Sequence, residues 1–263
     1  MQGLDRDLDI LIEAARRAGE IATRHREKGI RSWEKPDDAG PLTDADLEID
    51  AMLKETLTKA RPNYGWLSEE TPDTPARLER ESVFVIDPID GTRAYSEGRS
   101  SFSHSLGLVR HGVPVAGVVY LPVLDRLYAA AEGHGAYLNG ERLQMPPRDE
   151  LTAGTVLGSR KHMREEYWPG GPPPLEPTYR SSFANRLALV AQDRFDAVVS
   201  FRDAWEWDIA AGVVILQEAG GRVTDRDGRP MRFNSPGAKQ AGVLAANPTL
   251  HRQLLDRARG AAA

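Results

Sequence analysis

Over residues 4–26 the apolar positions Leu8, Leu11, Ile12, Ala15, Ala18 and Ile21 recur among charged residues. That spacing predicts an amphipathic helix laid over a core. Two prolines and a glycine break the pattern over residues 33–41. Thr43 then stands where an N-cap belongs, ahead of a second stripe of Ile49, Met52, Leu53 and Leu57 that ends at Pro62, Asn63 and Gly65. After the polar stretch 71–81, Ser82-Val83-Phe84-Val85-Ile86 is dominated by β-branched and aromatic side chains and predicts a buried strand. Residues 102–110 and 113–120, parted by His111-Gly112, predict a hairpin, with a third strand at 126–130. The expectation for this portion is a mixed or antiparallel sheet.

The second half opens on a short strand near residues 155–158 and a proline- and glycine-rich loop at 169–177. A helix over 182–192, a strand over 195–200 and a helix over 208–218 follow, the last closed by Gly220-Gly221 as a left-handed cap. Strands are predicted at 222–224 and 243–246, and a final helix takes Asn247 as N-cap and Pro248 at its first position. Helices interleave with strands throughout, without internal repeats. The prediction is a layered α/β architecture of two closely joined halves, 1–150 carrying an acidic loop and 151–263 completing the site.

At 263 residues with 40% hydrophobic content, the chain can bury a sizeable core. Its net charge is −5 and the 34 basic residues are scattered, so there is no electrostatic footprint for a nucleic-acid polymer. With no cysteine, disulfides, thiolate metal sites and a cysteine nucleophile are excluded, and any metal must be held by oxygen or imidazole. Residues 1–7 lack a basic region followed by an apolar stretch, and nowhere do 18 apolar residues run together. The expectation is a cytoplasmic protein with no membrane contact.

Directly after the predicted strand, Asp87-Pro88-Ile89-Asp90-Gly91-Thr92 packs two carboxylates, a rigid proline, a glycine and a hydroxyl into six residues. An isolated pair of aspartates three apart is more often an ordinary acidic turn. Here two further acidic segments, Ser68-Glu69-Glu70 and Asp208 after Trp205-Glu206-Trp207, offer the oxygen donors that a hard cation such as Mg²⁺ takes from separate parts of a chain. Two such ions would polarise a phosphoryl group and stabilise a departing alkoxide, with Asp87 the natural bridge. Backbone N–H groups of Gly91 and Thr92 would hold phosphate oxygens if the loop feeds a helix.

Four segments in order, Leu42-Thr43-Asp44-Ala45-Asp46, Ser68-Glu69-Glu70-Thr71, Asp87 to Thr92 and Trp207-Asp208-Ile209-Ala210-Ala211-Gly212, make the chain resemble the inositol monophosphatase superfamily of lithium-sensitive phosphatases. The resemblance spans nearly the whole chain. It implies an αβαβα sandwich, frequently a homodimer, acting on a small phosphorylated substrate. It further implies that Glu69, Asp87 and the Ile89 carbonyl hold one Mg²⁺, that Asp87, Asp90 and Asp208 hold a second, and that a third, weaker ion leans on Glu69. Asp46 and Thr92 look like the pair that orients the attacking water, and Lys35 resembles the lysine ahead of this motif in the family.

After Gly91-Thr92 the chain continues Arg93-Ala94-Tyr95 where inositol phosphatases usually have Thr or Ser, Asn and Phe. Arg93, Gly158-Ser159-Arg160-Lys161-His162 and Glu206 before Trp207 look more like the 3'(2'),5'-bisphosphate nucleotidases, with Arg93 balancing a second phosphate. Ala94, and Ser181 to Arg186 in place of the family's Gly-Ser-Ser-Leu-Lys, depart from that pattern. The expected substrate therefore leans to a bisphosphate nucleotide, with Gly91, Thr92, Arg93 and Asp208 as contacts. The alternatives are inositol 1-phosphate or a related sugar phosphate, and a binding protein without turnover. His104, His162 and Arg186 are further candidates for substrate contact, each with an ordinary structural or surface role as the competing reading.

Overall fold

The amphipathic helix forms as α1 (Gln2–Lys28), with Leu11, Ala14, Ala15, Ala18 and Ala22 fully buried on one face. The computed structural model describes residues 2–36, 40–148 and 153–260. The predicted break after α1 holds a small antiparallel pair, β1 (Ser32–Glu34) and β2 (Pro41–Thr43). Thr43 caps α2 (Asp44–Ala60) through a capping box, its hydroxyl accepting from the Asp46 amide while the Asp46 carboxylate accepts from the Thr43 amide.

Next come β3 (Gly65–Ser68), β4 (Ser82–Asp90), the single-turn α3 (Thr92–Ser96), β5 (Ser103–Arg110), β6 (Val113–Leu121), β7 (Arg126–Ala131), β8 (Gly135–Leu138) and β9 (Glu141–Leu143). Together β3 to β9 form one seven-stranded sheet in sequence order, parallel at β3–β4 and antiparallel elsewhere. The predicted hairpin turns at His111-Gly112, where both residues have positive φ. Strand β4 runs further than predicted. Asp87 pairs with Ser105 and Asp90 with Ser103, so three steps on β4 oppose two on β5 across a bulge at Pro88 and Ile89. The acidic loop is thus the bulged end of a central strand rather than a turn beyond it.

The expected junction of the two halves near residue 150 lies outside the described residues. From there, β10 (Gly154–Gly158), β11 (Leu175–Thr178), α4 (Phe183–Ala191), β12 (Ala197–Ser200), β13 (Ala204–Trp205), α5 (Glu206–Glu218), β14 (Arg222–Thr224), β15 (Lys239–Gln240), β16 (Val243–Ala246) and α6 (Pro248–Ala258) follow. A five-stranded sheet has the order β11-β10-β12-β16-β14, with β11, β10 and β12 parallel. Pro177 is tolerated because β11 is an edge strand.

Alternation along the strands shows how the layers stack. In β4, Phe84 and Ile86 join the cluster under α1 and α2, whereas Val83 and Val85 face the opposite way, into a cluster with α4 and α5. In β16, Val243 and Ala245 reach that same α4–α5 layer, and Leu244 and Ala246 turn outward to α6. The stack is α1/α2, sheet, α4/α5, sheet, α6, which is the predicted αβαβα sandwich.

Candidate active site

Asp87 and Asp90 are carried into the interior by the bulged end of β4, at 2% and 6% exposure. Gly91 turns the chain there with φ 96° and opens α3. The backbone angle favours glycine, and a Cβ at Gly91 would also stand tight at 3.2 Å from the Ser182 amide nitrogen. Thr92, the first residue of α3, turns its hydroxyl inward to donate to the Ile89 carbonyl at 2.9 Å, with Asp46 Oδ1 at 3.4 Å. The capping box that starts α2 therefore also fixes Asp46 against Thr92. Sequence reasoning paired these two residues across 46 positions, and the fold joins them.

Glu69 follows β3, the parallel neighbour of β4, and Asp208 sits in the first turn of α5. Carboxylate oxygens of Glu69, Asp87 and Asp208 lie within 4.8 Å of one another. Asp90 is oriented differently. Its Oδ2 accepts from the Ser182 hydroxyl at 2.7 Å and the Ala184 amide at 2.7 Å, and its Oδ1 accepts from the Phe183 amide at 3.0 Å. Asp90 thus ties the bulge of β4 to the start of α4.

The electrostatics are those of a crowded group of buried acids. Burial and then repulsion from Glu69 and Asp90 push the Asp87 carboxyl well above the usual carboxylate range, and burial followed by Asp90 and Glu69 does the same to Asp208. Burial raises Asp90 to about 6 and Asp46 to about 7. Lys35 donates to Glu69 and Glu70, each at 2.7 Å. Burial alone would depress this ammonium, but the two glutamates outweigh it and hold its pKa above the ordinary lysine value. Burial also raises Glu70, Lys35's second partner, to about 7, against the lowering effect of the Lys35 ammonium.

A divalent cation fits these residues on an observation independent of charge. Asp87 Oδ1 is fully buried and has no hydrogen-bond partner among the described residues, an arrangement that is costly unless another group completes it. Three convergent carboxylates without nitrogen or sulfur donors suit a hard, oxygen-seeking ion.

Other candidates are sorted by position. Arg93 is exposed on α3. His104 is fully buried behind the acidic loop, its Nδ1 paired with the Pro88 carbonyl, so it braces the bulge. His162 lies in an aromatic nest of Tyr167 and Phe201, with Trp168 donating to its carbonyl. Glu206 is fully buried and accepts from the amides of Asn234 and Ser235, the Ser235 hydroxyl and the Gln240 amide group. It anchors the 234–240 segment and cannot read a substrate. Arg186 stands on α4, its guanidinium over the rings of Tyr179 and Phe183 and its Nε donating to the Arg180 carbonyl.

The model of the inositol monophosphatase family matches residues 4–262. The chain belongs to that family. An inositol-1-monophosphatase of Caulobacter vibrioides is 33% identical, covering 95% of this chain and 100% of its own length. One from Mesorhizobium japonicum is 32% identical, covering 94% of each. The solved structure of the inositol monophosphatase from Anabaena superposes with a TM-score of 0.78 at 30% identity, covering 98% of this chain and 96% of that one. The protein is therefore a phosphatase-type hydrolase of this family. Nothing in these likenesses singles out the bisphosphate-nucleotidase branch, and two of the features that suggested it, Glu206 and His162, are structural residues here.

Proposed function

We propose that the protein is a Mg²⁺-dependent phosphomonoesterase acting on inositol 1-phosphate or a closely similar polyol phosphate. The observation that carries this reading is the convergence of Glu69, Asp87 and Asp208 beside the Thr92–Asp46 pair. The relatives bearing the inositol-1-monophosphatase name support the choice of substrate over a nucleotide bisphosphate.

Glu69, Asp87, Asp208 and the Ile89 carbonyl would hold two or three ions, with Asp90 completing the set from the bulged end of β4. When bound, magnesium supplies Lewis acidity toward phosphoryl oxygens and lowers the pKa of water. The chain's own residues do the rest. Asp46 accepts a hydrogen bond and Thr92 hands one on, so a water beside them is held with a lone pair toward the phosphorus. Gly91 and Thr92 present backbone N–H groups to the phosphate.

The test is phosphate release from inositol 1-phosphate with and without Mg²⁺. Activity should require the ion, and Asp208→Asn should lower turnover at least about a hundredfold, equivalent to about 2.7 kcal/mol of barrier. Near-normal turnover of that variant at saturating Mg²⁺ would refute the assignment. Preference for adenosine 3',5'-bisphosphate by tenfold or more would move the substrate to the nucleotide class.

A further inference from the structure

Arg77 is a buried charge that the reaction described so far leaves unused. It lies in a short turn at residues 75–79 and is 2% exposed. Its guanidinium joins two stretches far apart in sequence. Nε and Nη2 donate to the two oxygens of Asp73, each at 2.7 Å, while Nη1 donates to Asn234 Oδ1 at 2.7 Å and Nη2 also to the Ser235 carbonyl at 3.0 Å. Asn234 Nδ2 donates back to the Arg77 carbonyl at 3.1 Å. Asn234 and Ser235 are in turn held by Glu206, fully buried and two residues ahead of Asp208, through both backbone amides and the Ser235 hydroxyl. One continuous set of hydrogen bonds therefore runs from the chain just beyond Glu69 to the helix turn that carries Asp208.

A cavity of about 450 Å³ opens beside Glu69, with residues 70–73 and 236–238 among its walls. Among the described residues, the hydrogen bonds that cross from segment 69–80 to segment 229–240 all belong to Arg77 and Asn234. Each acid-bearing stretch is also fastened to the larger sheet, the Glu69 amide donating to the Ile86 carbonyl at 3.2 Å and the Ser105 hydroxyl to the Trp207 carbonyl at 2.9 Å. Between the two stretches themselves, Arg77 is the link. Glu69 and Asp208 repel each other, so carboxylates gathered within 4.8 Å tend to move apart until a cation joins them. A buried arginine is a poor source of stability compared with packed apolar side chains, and its better-attested use is to fix geometry.

We propose that Arg77 is a positioning residue for ion capture: by fastening the Asp73 segment to the segment held by Glu206, it keeps Glu69 and Asp208 at the separation that a divalent cation needs. It acts through Asp73, Asn234, Ser235 and Glu206 rather than by touching substrate or ion. This rests on the metal-dependent phosphatase reading given above.

Calorimetric titration of Mg²⁺ into the protein without substrate tests it. Arg77→Met keeps the bulk and loses every side-chain donor, and Asn234→Gly removes the amide while accepting the positive φ of 58° at that position. Each should raise the Kd for Mg²⁺ about fivefold or more, with Arg77→Lys, which keeps the charge without the fork, between wild type and Arg77→Met. The double variant should bind no more weakly than the weaker single one, because the two residues belong to one connection. In phosphate release from inositol 1-phosphate, the half-saturating Mg²⁺ concentration should rise by the same factor, and added Mg²⁺ should restore most of the turnover. A lowered melting temperature with unchanged Mg²⁺ affinity would make Arg77 a purely structural residue and overturn the proposal, as would affinity losses that add in the double variant. Should Arg77→Met not fold, Asn234→Gly and Arg77→Lys decide by the same readout. A wild type that binds no Mg²⁺ sinks the metal-dependent reading and the proposal with it, whereas a wild type and variants that bind the ion equally well sink the proposal alone.

Discussion

Ser182 has φ 67° and ψ 114°, a conformation that glycine adopts freely and a Cβ resists. Its hydroxyl nevertheless reaches Asp90 at 2.7 Å and Ser103 at 2.8 Å, and caps α4 by accepting from the Asn185 amide. Strain is retained here because a side chain is needed to anchor Asp90. Two variants separate the effects. Ser182→Gly and Ser182→Ala both lose the hydroxyl, but only glycine relieves the backbone, so Ser182→Gly should be the more stable of the two by about 1 kcal/mol in urea titrations. Both should release phosphate more slowly than wild type. Equal stability of the two would show that the position is unstrained. Asp87 offers a second test at this scale. With its Oδ1 unpartnered among the described residues and four acids around it, Asp87→Asn should raise the melting temperature in EDTA, corresponding to roughly 2 kcal/mol of added stability from relieved burial and repulsion. The same variant should lose most of the stabilisation that Mg²⁺ gives the wild type. A lower melting temperature in EDTA would contradict this account of the cluster.

Among the elements, α5 decides whether the site closes, because it brings Asp208 to β4. Its face of Ala210 and Ala211 meets glycines on the sheet. A Cβ at Gly117 would fall 2.7 Å from Ala211 Cα and 2.8 Å from its carbonyl, and one at Gly107 would fall 2.9 Å from Ala210 Cβ. Gly117→Ala must therefore push α5 off the sheet, costing about 1–3 kcal/mol and displacing Asp208 as well. Melting temperature and Mg²⁺-dependent turnover should fall together. Loss of stability with full turnover would mean that α5 does not set the position of Asp208. Long helices and strands such as α1, α2, β5 and β6 were legible because periodicity runs through them. Short strands were legible in part: those at 222–224 and 243–246 were, and those of the β8–β9 pair and β3 were not. The β8–β9 pair announces itself only by Asn139-Gly140, both with positive φ, and β3 is four residues whose parallel partner comes 14 places later. The bulge in β4 was unreadable because it depends on how β5 registers against Asp87 and Asp90.

At the scale of the whole molecule, the α4–α5 layer is shared. One hydrophobic cluster runs from Val85 and Val119 of the larger sheet through Leu187, Ile209 and Val214 to Val198 and Ala245 of the smaller. Neither sheet can lose this layer without exposing the other, so thermal unfolding should be one transition, with calorimetric and van't Hoff enthalpies equal. Two resolved transitions would show that the halves melt separately. Family membership was visible in four short motifs, and three of them supply the acids that the fold clusters. The anchoring of Asp90 by α4 was not, since it arises from backbone amides and a serine hydroxyl that a string of letters does not locate.

That shared layer bears on how the protein is made. Asp46, Glu69, Asp87 and Asp90 are all synthesised before the helix that supplies Asp208 and the helix start that holds Asp90. A nascent chain thus carries most of its acidic groups through a long interval in which no complete cage exists to gather them. On the proposed reading, affinity for the ion would arrive only when α4 and α5 dock, so ion capture would report that docking step.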